Sequence, residues 1–97
     1  MTDLDRVIHE PARLLIVALL AAVKQADFLW VLNESALTKG NLSSHLAKLE
    51  EAGYVEIEKT YRGKTPLTLL RLTRQGHAAF QGYKKSLSGL LGKGPHA

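Results

Sequence analysis

Apolar residues fall along this chain in changing rhythms, and each change marks an element. From Ala12 to Val23 nearly every position is apolar, with Leu14, Leu15, Ile16, Val17, Leu19 and Leu20 in close succession. Pro11 suits the first turn of that helix, where its missing N–H would be unpaired anyway. A helix apolar all round must be covered on several sides. In so short a chain, part of that cover is expected from a second subunit. Asp3 to His9 reads as a short leading turn or helix. Ala26 to Asn33 reads as a second helix, with Phe28, Leu29, Val31 and Leu32 as its apolar contribution and Trp30 assigned to core or interface. Glu34-Ser35-Ala36 is a turn.

A third helix is predicted from Lys39 to Ala52. Leu37 stands where a hydrophobic staple belongs, and Thr38 is a good N-cap residue. Leu42, Leu46 and Leu49 share one face, while Gly40, Ser44, Lys48 and Glu51 point the other way. Asn41 and His45 flank the apolar stripe on one side and Ser43 on the other. Gly53 ends the helix as a C′ glycine would. The rhythm then shifts to alternation from Tyr54 to Thr60, with Val55 and Ile57 opposite Glu56 and Glu58, which predicts a strand. Tyr61 to Thr65 forms a hairpin tip around Gly63. Pro66 cannot donate to a ladder, so it is placed at the edge of a return strand, Leu67 to Leu72. Thr73 caps a closing helix, Arg74 to Leu91, in which Phe80, Tyr83, Leu87 and Leu90 are spaced 3, 4, 3 with Leu91 alongside. That spacing is a seam for another helix.

Composition narrows the picture. The 97 residues allow one domain at most, here taken as residues 1–92 with a frayed tail at 93–97. There is no cysteine, so neither disulfides nor thiolate metal sites are available. The longest apolar run, Leu14 to Val23, is ten residues, too short for a bilayer. Asp3 and Asp5 precede it, which does not suit a secretory signal, so a cytoplasmic protein is expected.

The net charge is +4, and its distribution says more. Residues 1–58 carry nine acids and five bases; residues 59–97 carry eight bases and no acid. Such asymmetry points to one surface facing a polyanion.

The order helix, helix, helix, two-stranded hairpin, final helix resembles the winged helix-turn-helix transcription regulators. Ile8-His-Glu-Pro-Ala-Arg-Leu14 is similar to the opening helix of ArsR- and MarR-type regulators. Leu37-Thr-Lys-Gly-Asn-Leu-Ser-Ser-His-Leu46 resembles the recognition-helix motif of a small single-domain subgroup. Leu49 to Val55 resembles its helix-to-strand exit, Lys59 to Pro66 its wing, and Leu72-Thr-Arg-Gln-Gly-His77 the start of its closing helix. The fold class implied is α+β, mostly α: a three-helix core, a two-stranded wing and a C-terminal dimerisation helix. The resemblance implies a homodimer that places helix 39–52 in successive major grooves of a roughly palindromic double-stranded DNA site, with wing 59–67 on the flanking groove or backbone. A repressor acting by occlusion of a promoter is expected. Metal-sensing ArsR members use cysteine or clustered histidine and acidic ligands; this chain has only scattered His9, His45, His77 and His96, so no metal or cofactor is expected. Larger MarR members have longer end helices that form an effector pocket, for which this chain has little length to spare, and an effector stays unassigned.

The DNA-binding candidates are Thr38, Lys39, Gly40, Asn41, Ser43, Ser44, His45 and Lys48 on the helix, with Tyr61, Arg62, Lys64 and Thr65 on the wing. Ser, Asn and Lys hydrogen-bond base edges or phosphates, and a helix N-terminus favours a nearby phosphate. The wing cations suit the minor groove or phosphates. A solvated helix face and an ordinary polar hairpin are the alternatives, and His45 could simply pack beside the stripe. Leu14, Val17, Phe80, Tyr83, Leu87, Leu90 and Leu91 are the dimer-interface candidates, with plain core as the alternative for Phe80 above all. No Gly-rich phosphate loop, paired-His metal motif or nucleophile elbow occurs, so an enzyme is not expected. Ser43-Ser44-His45 is no catalytic pair, since neighbouring helix positions point about 100° apart. The rival functional readings are a winged-helix protein–protein or scaffolding module and an RNA-binding winged helix, the latter poorly served by an aromatic content of 6%.

Overall fold

A computed structural model describes residues 4–92; the leading residues 1–3 and the tail at 93–97 lie outside the described residues. The elements are α1 (Pro11–Ala21), β1 (Ala26–Asp27), α2 (Phe28–Ser35), α3 (Lys39–Glu51), β2 (Val55–Arg62), β3 (Thr65–Leu72) and α4 (Arg74–Leu91). The three strands form one antiparallel sheet in the order β1-β3-β2. This is a winged-helix fold, mostly α.

Each helix begins on a side chain that accepts a backbone N–H otherwise left unpaired. Glu10 accepts from Arg13 N, Asp27 from Trp30 N, Thr38 from Asn41 N and Thr73 from Gly76 N. The Glu10 carboxyl is held below its ordinary pKa, chiefly by that backbone bond, with the Arg13 charge adding to it. Between α2 and α3 the chain turns at Ala36, which adopts the left-handed region at φ 58. The buried Ser35 hydroxyl donates to Leu32 O and accepts from Leu37 N, both at 3.3 Å, closing the turn.

The core lies where α1 meets the other elements. Ile16, Val17 and Leu20 of α1 are fully buried, with Val31 of α2, Leu42 and Leu49 of α3 and Leu70 of β3. The cover that α1 needs therefore comes mainly from its own subunit. Of its large side chains only Leu15 is exposed, at 39%.

Three details of local structure depart from the sequence expectation. Ala26 and Asp27 are not helical: they pair with Leu70 and Leu69, and α2 starts only at Phe28. The leading helix stops at Ala21 rather than Val23. The hairpin tip is narrower than Tyr61–Thr65, because β2 runs through Arg62 and β3 starts at Thr65. Only Gly63 and Lys64 turn, and Gly63 takes the positive φ of 63° that a tight hairpin requires at its first central residue. Pro66 lies on the central strand of the sheet, opposite Tyr61, but β1 reaches only as far as Leu69. Its missing donor therefore costs no ladder bond on that side. No helix among the described residues is long and apolar enough to cross a membrane.

Candidate nucleic-acid interface

Helix α3 packs Leu42, Leu46 and Leu49 into the core and leaves Lys39, Gly40, Asn41, Ser43, Ser44, Ala47 and Lys48 exposed. Its first two turns are thus a continuous surface of small and hydrogen-bonding groups. A Cβ added at Gly40 would meet nothing within 4 Å, so the fold itself has no need of glycine there. Acids appear only at the far end, Glu50 and Glu51. A polyanion approaching this face meets no acid from Lys39 to Leu49, and it meets Glu50 and Glu51 only at the end of the helix. The helix dipole works in the same direction. Thr38 is exposed, but its hydroxyl oxygen is engaged in capping, accepting from Asn41 N at 3.1 Å.

His45 departs from the other helix candidates. It is half-buried, and its Nδ1 accepts from Arg13 Nη1 at 3.3 Å. The ring is turned toward α1 and away from the outer face, because position 45 lies beside the Leu42–Leu49 stripe. Arg13 is held at its other edge too, where Nε donates to Val7 O at 2.6 Å.

The wing stands on the opposite flank. Tyr61, Arg62, Lys64 and Thr65 are all exposed at its end, Tyr61 at 70%. Arg62 borders a hollow shared with Asp27, Phe28, Leu29 and Lys39, so the wing tip and the start of α3 face one depression. Lys59, not singled out among the sequence candidates, lines the neighbouring cleft between α3 and the sheet with Lys39 and Ser43. Strand alternation carries the signal that would have found it. Lys59 follows Val55 and Ile57 on the inward parity of β2, so it emerges on the side that faces α3.

Not all of the C-terminal positive charge is available. Arg71 Nε contacts Glu56 Oε1 at 3.0 Å, Nη2 contacts Glu58 Oε1 at 2.9 Å, and Nη1 donates to Gln25 Oε1 at 3.0 Å. Those carboxylates raise the Arg71 pKa above its ordinary value. Glu56 faces Arg71 directly in the ladder, and Glu58 is its diagonal neighbour. The two glutamates outnumber the arginine, so this outer face of the wing base offers no free positive charge. Among the described residues, Lys39, Lys48, Lys59, Arg62 and Lys64 form no such ion pair.

The apolar seam of α4 divides. Phe80 and Tyr83 are buried in the subunit's own core, at 9% and 4% exposure, as is Val17 at 0%. These three candidates for a dimer contact pack inside the subunit and offer a partner little surface. The helical period that marks a seam is the same whether the seam faces its own core or another chain. Leu14 and Leu87 are half-buried against that core. Leu90 and Leu91, at 46% and 70%, are uncovered.

Residues 12–91 match the family model described as a winged helix DNA-binding domain. An uncharacterized protein of Methanocaldococcus jannaschii is 35% identical over 78 residues, covering 80% of this chain and 85% of its own. The structure of a transcriptional regulator homologue from Pyrococcus horikoshii superposes with a TM-score of 0.86 at 28% identity, covering 91% of this chain and 87% of that one. A MarR-family regulator from Silicibacter pomeroyi shares the fold at a TM-score of 0.65 and 19% identity, over 93% of this chain and 63% of its own. With the helix, wing and exposed cations in their places, the chain belongs to the winged-helix DNA-binding domain family and is similar to a transcriptional regulator homologue of known structure.

Proposed function

We propose that this protein is a homodimeric, sequence-specific transcription regulator that represses by occupying a palindromic double-stranded DNA site. In this reading α3 enters the major groove and the wing holds the flanking groove or backbone. The observation that carries it is the exposed outer face of α3, where Lys39, Gly40, Asn41, Ser43 and Ser44, with Lys48 in the last turn, form one surface. That surface is flanked by Lys59, Arg62 and Lys64, which have no acidic partner among the described residues. Hydrogen-bonding side chains read base edges, and uncompensated cations bind phosphate.

Dimerisation rests on the uncovered end of α4. Leu90 and Leu91 project an apolar strip beyond the compact part of the molecule, past Leu87, which packs against the core. A second α4 packed against it would bury that strip. The protein acts in the cytoplasm in this reading, as one domain with DNA and itself as partners.

Selection of bound sequences from a random duplex library tests the proposal. A recovered palindrome with half-sites one helical turn apart is the expected result. Ser44→Ala and Asn41→Ala should relax preference at single positions, by roughly 1–3 kcal/mol for each base-edge hydrogen-bonding pair removed. Recovery of no enriched motif would remove the sequence-specific reading. Salt-insensitive binding to a protein in place of DNA would favour a scaffolding module.

A further inference from the structure

A helix that fills the major groove has a phosphate strand on each side of it. The groove is about 12 Å wide and a helix with its side chains is about 10–12 Å across. On one side of α3 stands the wing. On the other side the leading turn and the start of α1 form a cleft with α3, lined by Arg6, Val7, Arg13, Lys48, Glu51 and Ala52.

Three cations from three different segments converge there. Arg6 is exposed, and among the described residues it makes no ion pair. Arg13 spends one N–H on Val7 O and another on His45 Nδ1, which fixes the plane of its guanidinium and leaves its remaining donors free. Lys48 comes from the outer flank of α3. The acids facing this group are Glu51, at the α3 wall of the cleft, and Glu10, which caps Arg13 N with its carboxylate. Neither forms an ion pair with the three cations.

The turn that carries Arg6 is held on both sides. Asp5 Oδ1 accepts from Val7 N at 2.8 Å and from Ile8 N at 3.2 Å, and Asp5 Oδ2 accepts from the Tyr54 hydroxyl at 2.5 Å. His9 N donates to Asp5 O at 2.7 Å. Ile8, next in the turn, is fully buried. Arg6 therefore projects from a pinned turn, not from a loose terminus. Pre-organisation of this kind lowers the ordering cost of binding.

We propose that the Arg6–Arg13–Lys48 cleft clamps the phosphates of the DNA strand on the side of α3 opposite the wing. His45 serves there as a positioning residue that aims Arg13. The proposal rests on the DNA-binding reading above and adds a second backbone-binding surface to it. The ligand chemistry is a phosphate diester of duplex DNA.

The test uses full-length protein and its selected duplex, with phosphate-ethylation interference and the dependence of affinity on salt. Arg6→Ala should leave the thermal midpoint unchanged, since the side chain is exposed and makes no ion pair among the described residues. It should flatten the slope of log affinity against log salt by about 0.9 per subunit. It should also abolish interference at one phosphate on the strand away from those affected when Arg62 and Lys64 are replaced. Arg6→Lys should restore both. An unchanged slope and pattern in Arg6→Ala, with duplex binding intact, overturns the clamp and leaves the DNA reading standing. Failure of the wild-type protein to bind any duplex overturns the DNA reading itself, and the clamp with it. Saturation of the cleft by millimolar inorganic phosphate with no loss of bound duplex would assign it to a free anion and also overturn the proposal.

Discussion

Gly76 lies against the carbonyl oxygen of Tyr54 so closely that a Cβ at position 76 would overlap it. The approach is drawn tight by Thr73. Its N–H donates to Tyr54 O at 2.9 Å, its hydroxyl donates to Gly53 O at 2.6 Å, and the same oxygen accepts from Gly76 N at 2.9 Å. One threonine thus ties the start of α4 to the exit of α3. Gly76→Ala cannot be absorbed by a side-chain shift, because the obstacle is backbone. It should cost about 3 kcal/mol, and Gly82→Ala, with nothing within 4 Å, should instead gain about 0.5–1 kcal/mol from helix propensity. Urea unfolding midpoints of the two variants check the contrast.

The same exit carries a pH-dependent contact. The Asp5 carboxylate accepts a hydrogen bond from the Tyr54 hydroxyl and, together with partial burial, pushes the tyrosine up to about 12 from its ordinary value of 10.0. A group whose pKa is raised by folding contributes stability that is complete below the unfolded pKa and is lost as pH rises through the folded one. The loss should therefore fall between about pH 10 and 12. Solvent screening reduces its size to about 1 kcal/mol. Tyr54→Phe should be less stable than the parent at pH 7 and lose less between pH 10 and 12, as followed by chemical denaturation at each pH.

Ala36 occupies a left-handed conformation at the C-cap of α2, where its N–H donates to Leu32 O at 3.2 Å. An L side chain is strained in that region, and glycine is not. The added freedom of glycine in the unfolded chain offsets part of the gain. Ala36→Gly should raise stability by about 0.5–1 kcal/mol without altering DNA affinity. A calorimetric melting temperature that falls would show that the turn conformation differs in solution.

Much of this was legible in the sequence where local chemistry decides. Thr38 and Thr73 stand in cap positions, and the starts of α3 and α4 follow from them. Gly63 marks the hairpin for the same reason. What escaped depends on partners distant in sequence. Ala26 and Asp27 form a strand because Leu70 and Leu69 lie beside them, and two residues show no period of their own. His45 turns inward because Arg13, 32 positions earlier, reaches it. Arg71 counts as positive in the sequence but is engaged by Glu56 and Glu58, which only the strand register reveals. The division of the α4 seam at Tyr83 depends on where the core ends.

That division gives a test of the proposed dimer. Leu90→Glu combined with Leu91→Glu alters only exposed positions, so the subunit should remain folded with little change in circular dichroism. Sedimentation at tens of micromolar, an order-of-magnitude choice for a stable dimer, should then show a monomer where the parent shows a dimer. Val17→Glu should behave differently, because it places a charge in the fully buried core and ought to unfold the chain. A parent protein that sediments as a monomer would sink the dimer outright.

The wing supplies the remaining prediction, and the structure sharpens it with a control. Arg62 and Lys64 flank Gly63 at an exposed tip and have no acidic partner among the described residues. A hydrated surface charge contributes little to folding, so replacing both with alanine should leave the melting temperature nearly unchanged. If both touch phosphate, specific and non-specific duplex binding should weaken together. The salt slope should flatten by about 0.9 for each phosphate that each subunit no longer neutralises. A narrow-groove arginine would lose most on A·T-rich flanks instead. Arg71→Ala is the control. Its guanidinium is already engaged with Glu56, Glu58 and Gln25, so no phosphate is released and the slope should hold. Affinity should still fall modestly, because two carboxylates on the wing are left without their counter-charge. An intact slope and affinity in the Arg62/Lys64 double variant would show that the wing does not touch DNA.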